Sequence, residues 1–139
     1  MTIYRQPRLL ALVFVGGTVG TAAREGLSLA FPTGRGVPYP ILAINVVGAF
    51  ALGFLLDAIT RRGPDLGRRR AARLLLGAGV LGGFTTYSAL AVATAELIDD
   101  GAVASGIGYA AATLLGGAVA TWLGIAAGSA THRPGRERR

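Results

Sequence analysis

Four uncharged runs fill most of this chain and leave few folds open to it. Leu9–Ala23 continues past Arg24 and Glu25 into Gly26–Gly34, and the others are Gly36–Leu56, Leu74–Ala95 and Gly101–Thr131. A spanning helix needs roughly 20 apolar residues, so the pattern predicts an all-α membrane protein with four transmembrane helices. The expected spans are 9–30, 38–59, 72–98 and 102–130, in a single domain covering 1–139, with a basic tail at 131–139. Only 15% of the residues are charged, and no stretch is polar enough for a separate soluble domain. Residues 5–23 imitate a signal peptide, with Arg5 and Arg8, an apolar core and Thr21-Ala22-Ala23. The run is crowded with glycine and three further spans follow, which favours a retained helix.

The third long run carries its own interruption. Gly79-Val80-Leu81-Gly82-Gly83-Phe84-Thr85-Thr86-Tyr87-Ser88 places three glycines and then a cluster of hydroxyls inside it. Both are poor material for a continuous helix. Non-helical backbone at membrane depth survives only where its freed carbonyls face protein, water or an ion. Helix 3 is therefore expected to be broken at mid-membrane, near Gly82–Thr86, and the break is expected to mark a site.

Charge supplies orientation rather than a nucleic-acid surface. The net charge is +7, but the arginines sit between the spans and at the ends. With four spans, one side carries Arg5, Arg8, Arg61, Arg62, Arg68, Arg69, Arg70, Arg73, Arg133, Arg136, Arg138 and Arg139, and the other Arg24 and Arg35. This bias predicts that both termini are cytoplasmic. The tail His132–Arg139 is also placed to touch anionic membrane lipid.

Few side chains carry chemistry. There is no cysteine, the one histidine is His132 in the tail, and Glu25, Asp57, Glu96, Asp99 and Asp100 all lie at span ends. No nucleophile with a base, phosphate loop or metal cluster is legible, so no enzyme is expected. Asn45 lies mid-span, where an unsatisfied amide is costly. It reads either as a helix–helix hydrogen bond or as an NH₂ donor facing an anion path. Arg24 reads as a snorkelling arginine or as an anion attractor at a pore mouth. Tyr109 and Thr113 are four apart, with Thr121 near their face; such hydroxyls bond back to their own helix or line an anion path. Small residues at four-residue spacing, Gly16/Gly20, Ala49/Gly53, Gly79/Gly83, Ala112/Gly116 and Gly124/Gly128, suit close helix contact within one chain or between chains. Four spans leave too little wall to enclose a pathway, so an oligomer is expected.

Four separated motifs agree with one another. Gly16-Gly17-Thr18-Val19-Gly20-Thr21-Ala22-Ala23-Arg24, the Asn45–Gly53 segment Asn-x-x-Gly-x-Phe-x-x-Gly, the Gly79–Ser88 segment, and Tyr109 with Thr113 occur in order along nearly the whole chain. The chain thereby resembles the Fluc/CrcB family of fluoride channels. The resemblance implies an antiparallel, double-barrelled dimer in the bacterial inner membrane, with two fluoride pores and a structural Na⁺ at the dimer interface. By motif position the Na⁺ ligands are the backbone carbonyls of Gly82 and Thr85, which suits a hard cation. It also implies that Asn45, Tyr109 and Thr113 line the fluoride path, that Arg24 is the family's arginine, and that the family's fluoride-facing phenylalanines fall at Tyr87 and Leu90. The expected donors to fluoride are Asn45, the hydroxyls of Thr86, Ser88 and Thr113, and the Tyr87 ring edge.

Two features depart from that pattern. Tyr87 keeps an aromatic edge of partial positive charge, but Leu90 has none. The arginine bias favours one orientation, whereas an antiparallel homodimer needs both. Together they predict one half of a heterodimer, completed by a homologous chain inserted the opposite way. The expected role is passive export of fluoride. The alternatives are a small drug or guanidinium exporter, which needs a mid-span carboxylate in helix 1, and a non-transporting membrane scaffold.

Overall fold

The structure is a computed structural model and describes residues 6–34 and 36–131. Arg5, Arg35 and the tail His132–Arg139, which entered the charge argument, lie outside the described residues. The described chain is helical: α1 (Pro7–Ala30), α2 (Tyr39–Thr60), α3 (67–84), α4 (Tyr87–Asp99) and α5 (Val103–Ala130). Among the described residues three stretches are long and apolar enough to cross a membrane: Tyr39–Thr60, Gly67–Asp99 and Val103–Ala130. α1, with Arg8, Arg24 and Glu25, is not among them.

α3 and α4 divide the third long run. α3 opens at Gly67, five residues before the expected 72, because the basic stretch Gly67–Ala72 already winds as α-helix. From Arg73 to Leu81 it widens into a π-helix, in which the Gly82 N–H reaches back to Gly77 O. One α-turn, Gly82–Phe84, closes it. Thr85 (φ −79°, ψ 153°) and Thr86 (φ −147°, ψ 119°) are then extended, and α4 begins at Tyr87. The break falls where the glycine-hydroxyl segment predicts it; the π-helix ahead of it has no counterpart in the sequence reading. At the start of this stretch Arg73 holds Asp65 through both carboxylate oxygens, at 2.7–3.1 Å. That hydrogen bonding keeps the Asp65 carboxyl below its ordinary pKa.

Glycine sets how the helices pair. α1 runs parallel to α3: Gly16 lies against Leu75 O and Gly79, and Gly20 against Val80 O and the Phe84 N–H. α2 runs parallel to α5, from Gly116 against Val46 to Gly128 against Asp57. α4 folds back antiparallel on α5, with Gly106 against Thr94 O. Backbones this close gain dispersion and Cα–H···O contact. The pairs Gly16/Gly20, Gly79/Gly83 and Gly124/Gly128 are thus used inside the chain.

The interior is accordingly rich in small groups. Among the described residues the buried large side chains are Ile44, Leu74, Leu90, Leu97 and Tyr109, while Phe14, Leu29, Phe31, Leu115 and Trp122 stand on the outside, each more than 60% exposed. An apolar exterior around a glycine-rich interior suits lipid or a second chain rather than water. The close contacts give a direct check. Gly20→Ala drives a methyl into Val80 O and is expected to lower stability by about 1–3 kcal/mol. Gly108→Ala meets nothing within 4 Å and is expected not to lower it. Thermal unfolding of both variants in detergent micelles decides this.

Candidate functional site

The site is built around one amide. Asn45, mid-α2, pairs with both backbone groups of Thr86 in the break: Thr86 N–H donates to Oδ1 at 2.8 Å, and Nδ2 donates to Thr86 O at 3.0 Å. This is the helix–helix alternative for Asn45. It leaves the second Nδ2 proton free, so the donor alternative is not consumed. Gly48, one turn along α2, makes room for the Thr85 methyl, which any Cβ at 48 would overlap.

The same pairing strips two carbonyls of their helical partners. In a continuous helix the Thr86 N–H would serve Gly82 O, and the Ala89 N–H would serve Thr85 O. Instead Thr86 N–H goes to Asn45, and Ala89 N–H to Thr86 Oγ1 at 3.2 Å as the cap of α4. Gly83 O faces Thr21 Oγ1 at 3.4 Å. Freed carbonyl oxygens are the donor set a hard cation takes, so Gly82 and Thr85 fit the Na⁺ ligands that the resemblance implies.

Beside the break lies an open groove of about 330 Å³ between α2, α4 and α5. Asn45, Thr85, Thr86, Tyr87, Leu90 and Thr113 all line it, with Thr121 farther along. Its hydroxyls fall into two kinds. Thr85 donates to Leu81 O at 2.9 Å, Thr113 to Tyr109 O at 2.8 Å and Thr121 to Gly117 O at 2.9 Å. With the proton spent, each offers the groove only lone pairs. Thr86 Oγ1 receives the Ala89 N–H and shares a hydrogen bond with Ser88 Oγ at 3.2 Å, so one proton of that hydroxyl pair stays uncommitted. Tyr87 is 78% exposed and stands clear of the bundle.

Residues 11–125 match the family described as "CrcB-like protein, Camphor Resistance (CrcB)". The chain belongs to the CrcB-like family. Its relatives include "Fluoride-specific ion channel FluC 2" of Leifsonia xyli, 55% identical over 92% of this chain and 88% of that protein. "Fluoride-specific ion channel FluC 1" of Cutibacterium acnes is 48% identical over 88% of this chain and 87% of that one. A protein of the same name from Streptomyces coelicolor is 40% identical over 85% and 75%.

The remaining candidates of this CrcB-like chain occupy distinct positions. Leu90 is 6% exposed and packs with Leu97 and Tyr109. Tyr109 is 3% exposed, lies behind the groove, and its hydroxyl has no partner among the described residues. Arg24 continues the four-residue stripe of Gly16 and Gly20. Its Nε and the Ser28 Oγ one turn on are both buried with no partner among the described residues. Glu25 approaches only to 4.0 Å and is itself exposed, so the adjacent pair is as weak as the spacing implies. Sequence reasoning missed Gly48 and Thr21, and it did not separate hydroxyls that keep a proton from those that spend it. Only the Asn45-x-x-Gly48 spacing, which puts both on one helix face, signals the first of these.

Because Asn45 serves two backbone groups at once, Asn45→Leu leaves the Thr86 N–H without its partner. The expected loss is about 1–3 kcal/mol, with faster exchange of the Thr86 amide than in the native chain. Hydrogen exchange read at that amide, beside thermal unfolding, checks it.

Proposed function

We propose that this chain is a subunit of a fluoride-specific channel that lowers cytoplasmic fluoride by passive export. The observation that carries this is the groove at the helix break, whose proton donors face outward in a chain whose relatives at up to 55% identity are named for fluoride conduction. A channel of this kind is not an enzyme. Fluoride is small and holds water tightly, so a selective path must replace that water with donors. The free Asn45 Nδ2 proton, the one uncommitted proton of the Thr86–Ser88 hydroxyl pair and the Tyr87 ring edge supply them, with Asn45, Thr86 and Tyr87 in the groove lining and Ser88 just outside it. The orphaned Tyr109 hydroxyl is a further donor behind Leu90. Thr113, its proton committed, and Leu90 form the opposite wall. Arg24 adds positive potential at the pore mouth. Fluoride enters cells as the neutral acid and dissociates inside. A potential negative inside then drives the anion out by about 2.3 kcal/mol per charge per 100 mV, with no coupled ion.

The alternating helix directions support four membrane crossings, α1 among them, in a single domain, and the arginine bias supports an inner-membrane orientation with both termini cytoplasmic. The exposed apolar exterior supports assembly with a second copy or homologue in antiparallel fashion, giving two pores. The Gly82 and Thr85 carbonyls of each subunit would hold a Na⁺ at that interface, and the bound cation supplies the positive charge those carbonyls lack in the broken helix.

The arginine bias supports a heterodimer, because seven of the described arginines, Arg8, Arg61, Arg62, Arg68, Arg69, Arg70 and Arg73, gather at the end where α1 and α3 begin and α2 ends. Fluoride efflux from liposomes is expected only when this chain is reconstituted with a co-expressed homologue. Efflux from the single chain keeps the channel and removes the heterodimer; no efflux in either case removes the channel. Tyr87 tests the pathway without disturbing the fold, since it is 78% exposed. Tyr87→Phe is expected to keep efflux and Tyr87→Ile to reduce it at least about tenfold, through loss of the ring edge. Initial efflux rates of the two variants decide it.

A further inference from the structure

We propose that the cleft between the start of α1 and the start of α3 binds the phosphodiester headgroup of an anionic phospholipid. The inference rests on the bundle lying in a membrane, not on which ion it conducts. The cleft has a volume of about 500 Å³ and brings together Arg8, Arg68 and Arg70 above a floor of Leu9, Leu12 and Ala71. Among the described residues no acid lines it.

The arginines at this end of the molecule are not equivalent. Arg61 is paired with Asp57 and Arg73 with Asp65, each at 2.7 Å. Arg8, Arg68 and Arg70 belong to none of the ion pairs among the described residues. Three guanidiniums outside those ion pairs thus converge on one concavity, whereas Arg62 and Arg69, also outside them, do not line it. Each guanidinium presents a planar fork suited to phosphate oxygens. α1 also starts here without a side-chain cap and without an acid in its first turn, so its positive end adds to the same potential.

The floor decides between a lipid and a soluble phosphate. A site for free phosphate needs only donors. Here the charged rim passes directly into Leu9, Leu12 and Ala71, at the end of a bundle with an apolar exterior, so charge and apolar surface follow one another as they do along a phospholipid. Basic pockets between helices at a cytoplasmic boundary recognise anionic headgroups by this combination.

Competition binding in detergent micelles tests the proposal on the full chain, using fluorescent phosphatidylglycerol displaced by unlabelled phosphatidylglycerol, phosphatidylcholine or inorganic phosphate. The native chain is expected to prefer phosphatidylglycerol over phosphatidylcholine. Arg8→Gln with Arg70→Gln is expected to lower that preference about fivefold for each arginine removed. Arg62→Gln with Arg69→Gln removes equal charge at the same end outside the cleft and is expected to leave the preference intact. Gel filtration and helical circular dichroism confirm that each variant is folded, and Arg8→Gln alone serves if the double variant is not. An equal loss in both double variants overturns the proposal in favour of diffuse charge. Displacement by inorganic phosphate as effective as by phosphatidylglycerol overturns the lipid assignment, and no preference in the native chain overturns the site.

Discussion

The two hydrogen bonds between Asn45 and the Thr86 backbone are the interaction on which the rest of the site depends. An extended residue inside an apolar span exposes an N–H and a carbonyl that hydrocarbon leaves unsatisfied. One primary amide matches both, because it carries a donor and an acceptor side by side. With Thr86 held, its hydroxyl is aimed at the first free N–H groups of α4 and caps that helix. Tyr87 and Ser88 then follow at the helix start, both exposed, with Tyr87 at the edge of the groove. The freed Gly82 and Thr85 carbonyls are the other face of the same arrangement.

Hydroxyl groups that look alike in the sequence are divided by this geometry into opposite electrostatic roles. Thr85, Thr113 and Thr121 each return a proton to the carbonyl four residues earlier. Their oxygens present negative partial charge and suit a cation more than an anion. Thr86 accepts a backbone proton instead and shares one hydrogen bond with Ser88, which leaves one proton of that pair for an anionic partner. Selectivity in such a groove therefore depends less on how many hydroxyls line it than on which direction each is bonded.

Much of this was legible in the residues, and the failures have physical causes. The apolar runs mark the helices because lipid tolerates little else, and Gly82-Gly83 before Thr85-Thr86 marks the break because those residues hold helix poorly. Asn45 was legible as a residue needing partners, but both its alternatives were consistent with one sequence, and only the position of Thr86 separates them. The glycine pairs announced close contact without saying with what: Gly16 and Gly20 meet α3, and Gly124 and Gly128 meet α2, at distances in sequence that spacing does not encode. The π-helix from Arg73 to Leu81 was not legible, since Gly77 and Gly79 weaken an α-helix without signalling that it widens rather than breaks. The isolation of the Tyr109 hydroxyl is likewise a property of packing against Leu90 and Leu97.

The pairing of α2 with α5 has a bearing on how the chain is made. The Thr121 hydroxyl lies 3.5 Å from Ala49 O across 72 residues of chain, and Gly53 packs on the backbone of Thr121 itself. A nascent α2 leaves the ribosome long before the helix that fits its groove exists. α1 and α3 can meet earlier, but α2 must wait in the bilayer with its glycine face against lipid. α2 therefore reaches its packed state only once α5 has been made, so the pairing of these two helices is a late and non-local step of assembly.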